Sequence, residues 1–184
     1  MIRVTRARAR NRRRKRTVPE SQLQDKLVSH LQGAHAMEQN SKRMLDSMIS
    51  TTEDVETRQE LEHHREETER HEQLLADRLN ALGSKPSAAK DVAAIGGALF
   101  KGLTDQVRAD KPGKNARDGY VVEHFEIASY ELLERLAERA GDEQTADVAR
   151  RNRKDEEAMA KKIEKNWDRF VDLSVRDERI AAPA

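Results

Sequence analysis

The chain has 184 residues, no cysteine, 38% charged and only 3% aromatic residues; this excludes disulfides, thiolate catalysis and cysteine-ligated zinc, and points to helices rather than sheet. No apolar run reaches the roughly 18–20 residues of a membrane span, and the basic start is not followed by the apolar stretch of a secretory signal, so a cytoplasmic protein of one domain plus tails is expected. The net charge of +1 hides an asymmetry: residues 1–17 hold nine Arg or Lys and no acid, leaving 26 basic against 34 acidic residues, a net of −8, in the remainder.

Residues 1–19 have no apolar period and repel themselves, so a basic disordered tail is expected. Its Arg8, Arg10, Arg12, Arg13, Arg14, Lys15 and Arg16 suit an arm that binds DNA or another polyanion without sequence preference; a solvated tail or a misassigned start are the alternatives. A helical domain spans 20–176, and 177–184 is expected to fray. The first helix begins near Glu20–Ser21, carries the stripe Leu27, Leu31, Ala34, Leu45 and Met48, and ends near 50–52. Thr51 or Thr52 can cap a second helix that runs to about Leu82, with Gly83 suited to the position after its end. A linker over 83–91 and a short helix over 89–109 follow, then a loop over 110–115. A third long helix covers about 116–140, the chain turns at Gly141, and a fourth helix runs from about Asp142 to Val175.

Short loops make helices one and two antiparallel neighbours, and likewise three and four. More than 30 residues separate the second helix from the third, enough to travel the roughly 42 Å of a 28-residue helix. The expected fold is therefore all-α: a ferritin-like four-helix bundle with a long crossover containing an additional short helix.

Each long helix carries an acid where its stripe calls for an apolar residue. Helix one continues its stripe through Glu38 and Ser41. Helix two has Leu61, His64, Glu67 or Thr68, His71, Leu74 and Leu75. Helix three has Glu123, Glu126, Tyr130, Leu133 and Ala137, and helix four has Ala149, Asn152, Glu156, Met159, Ile163, Trp167 and Phe170. Within "ELEHHREETERHEQLL" (60–75), His64, Glu67 and His71 are expected to project inward at i, i+3 and i+7, while the remaining acids and arginines form a wet outer face. Burying four or more carboxylates costs several kcal/mol each unless their charge is offset. A pair of divalent metal ions neutralises several at once, and oxygen and imidazole donors without sulfur suit iron, manganese or zinc. His35, one turn before Glu38, is a further ligand or a group that orients one. His–Glu pairs can also be purely structural, and 34 acids place some in any stripe by chance.

The segments "EHHREETERHEQLL", "YVVEHFEIASYELLERLAERAGDEQTADVARR", "DEEAMAKKIEK" and "AHAMEQ" resemble the bacterial ferritin-like stress-response family typified by the YciE and YciF proteins, over about residues 20–176. The resemblance implies the four-helix fold and a di-metal site in which Glu38, Glu67, Glu123 and Glu156 are the core acids, one per helix. Glu126, His64 and His71 would be additional ligands or their supports. The usual di-iron pattern has Glu-x-x-His on two helices. Here Glu156 is followed by Met159, and the histidines of helix two stand three before and four after Glu67.

Three functions remain open from the sequence. One is a di-iron oxidoreductase reacting with peroxide or oxygen, with Tyr130 and Met159 close to the metals. Another is a non-catalytic stress protein with a structural or empty site. The third adds DNA binding through the tail. A homodimer is plausible from the broad faces of long helices.

Overall fold

The computed structural model describes residues 20–86 and 110–178. They form five helices and no strand: α1 Glu20–Thr51, α2 Val55–Ala81, α3 Lys111–Ala140, α4 Glu143–Lys165 and α5 Trp167–Asp177. The tail expected over 1–19, the short crossover helix expected over 89–109 and the chain beyond Glu178 lie outside the described residues. No described helix is long and apolar enough to cross a membrane.

Two apolar layers set the directions of the helices. One gathers Leu27 and Leu31 from the start of α1, Leu75 and Leu79 from the end of α2, Leu133 and Leu136 from the end of α3, and Ala146 and Ala149 from the start of α4. The other gathers Met44, Leu45 and Met48 from the end of α1, Leu61 from the start of α2, Ala116 and Val122 from the start of α3, and Met159 and Ile163 from the end of α4. Hence α1 and α2 are antiparallel, α3 and α4 are antiparallel, and α3 runs in the same direction as α2. The end of α2 and the start of α3 lie at opposite ends of the bundle, as the long crossover requires. Each fully buried leucine in these layers stabilises the fold by about 2 kcal/mol, and the two layers close off whatever lies between them.

The local ends differ from expectation in three places. Asp54 caps α2, accepting from the Thr57 N–H at 2.9 Å and from the Thr57 hydroxyl at 2.7 Å. Thr51 and Thr52 instead donate their hydroxyls back to α1, to Ser47 O and Met48 O at 2.7–3.2 Å. A short hydroxyl that can reach its own helix competes with capping the next one. Second, α3 starts at Lys111 rather than near 116, so "KPGKN" is its first turn. Proline is at home there because the N–H it lacks would have no helical partner. The Gly113 N–H donates to Ser174 Oγ at 2.9 Å; a Cβ at Gly113 would lie 2.8 Å from that oxygen, a contact that rotation of the serine side chain would have to relieve.

Third, the expected fourth helix breaks at Asn166, whose φ of −114° leaves the helical range. Its side-chain amide donates to Lys162 O at 2.7 Å and its N–H to Ile163 O at 3.0 Å, satisfying the last carbonyls of α4. Beyond it, α5 packs along the start of α3, with Trp167 edge-on to Tyr120 at 5.6 Å. Trp167 and Phe170 are half-buried. At the opposite end Gly141 takes φ 72° to turn α3 into α4. Asp142 caps α4 and is gripped by Arg78 of α2 at 3.0 Å.

Candidate metal centre

Between the apolar layers lies a polar one. Glu38 and Ser41 come from α1, His64, Thr68 and His71 from α2, Glu123, Glu126 and Tyr130 from α3, and Asn152 and Glu156 from α4; all are 2% exposed or less. Helical spacings of three and four put them on the inward faces at mid-length. His64 Nε2 lies 3.2 Å from Glu123 Oε1 and 3.5 Å from Glu156 Oε2. His71 Nδ1 lies 2.9 Å from Glu156 Oε1 and 3.8 Å from Glu38 Oε2. Two sets of ligand atoms converge within 4.8 Å of one another: His64, Glu123, Glu126 and Glu156, and Glu38, His71 and Glu156. Glu156 belongs to both.

Several of these groups are held by polar neighbours. The Tyr130 hydroxyl donates to Glu38 Oε1 and itself accepts from Asn152 Nδ2 at 3.0 Å. The Ser41 hydroxyl donates to Glu126 Oε1. By contrast Glu38 Oε2, Glu123 Oε2, both oxygens of Glu156 and His71 Nδ1 are buried without a hydrogen-bond partner. A buried oxygen left so costs about 1–3 kcal/mol, and more if charged. Among the described residues, no ion pair of Glu38, Glu123, Glu126 or Glu156 is to a Lys or Arg.

The electrostatics follow. Burial pushes the Glu38 carboxyl up to about 7, although His71, Tyr130 and His64 pull against it. Burial, then the charges of Glu156, Glu38 and Glu123, raises Glu126 well above the usual carboxylate range. Burial and the charges of Glu38 and Glu123 do the same to Glu156. Burial alone would lower His64, but Glu123, Glu67 and Glu156 outweigh it and hold the ring well above its ordinary value. Tyr130, buried beside Glu38 and Glu156, is pushed well above 10 and stays a donor. Without a cation Glu38, Glu126, Glu156, His64 and Tyr130 hold their protons tightly. Oxygen and imidazole donors with unpartnered inward atoms suit a pair of divalent ions, which four carboxylates can neutralise.

The family model described as "Domain of unknown function (DUF892)" matches residues 22–176. The chain belongs to the DUF892 family. Among solved structures, a protein of Xanthomonas campestris pv. campestris is 28% identical, with a TM-score of 0.72 over 86% of this chain and 99% of that one. The Escherichia coli stress protein YciF is 22% identical, with a TM-score of 0.70 over 82% and 97%. A bacterioferritin of Desulfovibrio desulfuricans, described with a diiron site in different catalytic states, is 19% identical, with a TM-score of 0.71 over 91% and 93%. These likenesses make the DUF892 bundle ferritin-like in fold.

The sequence-predicted residues of this DUF892 chain separate clearly in the structure. Glu38, His64, His71, Glu123, Glu126 and Glu156 come together. Glu67 does not join them: its side chain is 19% exposed and lies outside His64, with Oε2 at 3.3 Å from His64 Nδ1. Thr68 takes the inward position and donates its hydroxyl to His64 O at 3.0 Å. His35 is buried but faces Glu72 at 3.8 Å in the seam between α1 and α2. Met159 belongs to the apolar layer. Tyr130 reaches the centre through Glu38. The basic-tail residues lie outside the described residues. One neighbour went unread in the sequence: Asp155, whose Oδ2 lies 3.1 Å from His71 Nε2. It stands one residue off the stripe among many surface acids, and no spacing rule singles it out.

Proposed function

We propose that this polar layer is a di-metal carboxylate centre, with iron its principal metal and manganese or zinc as alternatives, and that the protein uses it to consume oxygen or peroxide under stress. Bound iron would supply the electrons for that reduction. His64, Glu123 and Glu126 would hold one position, Glu38 and His71 the other, and Glu156 would serve both. Tyr130 and Asn152 orient Glu38, Ser41 orients Glu126, and the two apolar layers exclude bulk water. Both imidazoles come from α2 and none from α4, which sets this centre apart from one with Glu-x-x-His on two helices. The diiron site described for the bacterioferritin and the stress role in the name of YciF support the reading from outside this chain. The observation that carries it is the buried, unpartnered set of Glu38 Oε2, Glu123 Oε2, both Glu156 oxygens and His71 Nδ1.

Anaerobic titration of the metal-free full chain with Fe(II) tests it. The expected result is saturation near two equivalents, oxidation of the bound iron on exposure to oxygen or peroxide, and loss of both in Glu156→Ala. Binding no tighter than in Glu156→Ala would sink the proposal. A second reading, a structural layer that shares protons and takes no metal, is favoured by the hydroxyl bonds to Glu38 and Glu126. It predicts a melting temperature unchanged by added metal, whereas a bound metal raises it with concentration.

A further inference from the structure

We infer that Asp155 is a positioning residue for His71, fixing which ring nitrogen the centre receives. Helix α4 presents consecutive carboxylates to the two sides of one imidazole. Glu156 points inward and lies at Nδ1; Asp155, about 100° further around the helix, lies at Nε2, 3.1 Å away on the flank of the bundle. Carboxylates face both ring nitrogens and can only accept, so the geometry decides: Nε2 is hydrogen-bonded to Asp155 Oδ2, whereas Nδ1, although 2.9 Å from Glu156 Oε1, has no hydrogen-bond partner. A neutral His71 therefore places its single N–H on Nε2 and leaves the Nδ1 lone pair facing inward. The inward nitrogen is thus free for a cation shared with Glu38 and Glu156. The other half of the centre repeats the device within one helix: Glu67 faces His64 Nδ1 at 3.3 Å, three residues along α2, while His64 Nε2 faces Glu123 and Glu156. Carboxylates that hold the far nitrogen of a metal-binding histidine typically alter metal affinity 10–100-fold. Asp155 is 46% exposed at its side chain, so its removal leaves no hole in the core.

The assignment rests on the di-metal reading for its metal consequence but not for its tautomer. Two measurements on the full-length protein separate them. The first is nitrogen-15 NMR of the histidine rings in the metal-free protein, with His71→Gln used to assign the signal. His71 is expected as the Nε2–H tautomer in the wild type and as a mixture in Asp155→Ala. The second is Co(II) titration, with Glu157→Ala as control: Asp155→Ala should weaken one of two equivalents about 10–100-fold, while Glu157→Ala and both melting temperatures of the metal-free variants stay at the wild-type values. A wild-type His71 protonated on Nδ1 overturns the inference, as does an Asp155→Ala ring unchanged in tautomer. If the wild type takes up no Co(II) while the tautomer responds as expected, the metal reading fails and the positioning role stands.

Discussion

The metal-free protein should lose stability as pH rises through neutrality, and Glu38→Gln should remove a measurable part of that loss. Glu38 in the fold sits at about 7, against an ordinary 4.5. A folded carboxyl that holds its proton more tightly than the unfolded one favours the fold at low pH, and the advantage disappears as pH climbs from the unfolded value past the folded one. Two and a half pH units at about 1.4 kcal/mol each make roughly 3 kcal/mol for this buried group, or roughly 6–12 °C in melting temperature for a chain of this size. Glu126, Glu156 and His64 are also raised and act in the same direction. His30 and His35, lowered by burial, oppose them around 6.5. Glu67, Glu72, Asp54 and Asp142 are lowered, so their contributions are complete above about pH 5. Subtracting variant from wild type cancels the groups remote from Glu38, while Glu126 and Glu156, raised in part by its charge, are relieved in the variant and add to the difference in the same direction. Glutamine keeps an acceptor for the Tyr130 hydroxyl and never ionises. The two chelated proteins should therefore melt close together at pH 5, and the variant should melt several degrees higher at pH 8. Differential scanning calorimetry across that range reads the difference; parallel curves from pH 5 to 8 would refute the assignment of a protonated, buried Glu38.

Other outcomes follow from packing, capping and the layout of the centre. Leu31, fully buried in the first apolar layer, should cost about 2–5 kcal/mol as Leu31→Ala by urea unfolding. Asp54→Ala removes both the α2 cap and the partner of Arg169 at 2.6 Å, and should cost about 1 kcal/mol in the same assay. Glu67→Ala should retain both metal equivalents at about 10-fold weaker affinity, whereas Glu123→Ala should lose at least one; equal losses in the two variants would place Glu67 inside the centre.

What could be read in advance was set by periodicity. Leu27, Leu31, Glu38, Ser41 and Leu45 fall on one face whatever surrounds them, and the same holds for Glu123, Glu126, Tyr130 and Leu133; a stripe that long has only one way to face a core. The choice between Glu67 and Thr68 was not determined in this way. Positions 67 and 68 stand at equally acceptable spacings from His64 and His71, so only tertiary packing decides. It places the smaller threonine inside and lets the longer glutamate reach around to His64. Asp155 illustrates the same limit, since its role depends on a ring from another helix. The missed start of α3 has a different cause. "KPG" reads as a turn by composition, yet the first turn of a helix tolerates proline, and the Gly113 N–H is bonded to Ser174 of α5, 61 residues away.

The polar layer also explains why the apolar residues lie where they do. A buried carboxylate near a bundle end could relax toward water, whereas at mid-length it is sealed on both sides by leucine, methionine and alanine from all four helices. Filling the same volume with well-packed apolar side chains would stabilise the fold, because buried ionisable groups seldom recover their desolvation cost. The sequence accepts that cost for four carboxyl groups and two imidazoles in one layer. It then supports Glu38 with Tyr130, Glu126 with Ser41, His64 with Glu67 and His71 with Asp155. Glu156 has no such support for either oxygen, and it is the residue common to both clusters. On the proposed di-metal reading, the one acid that would serve both positions is thus the one whose oxygens carry no competing hydroxyl or amide donor.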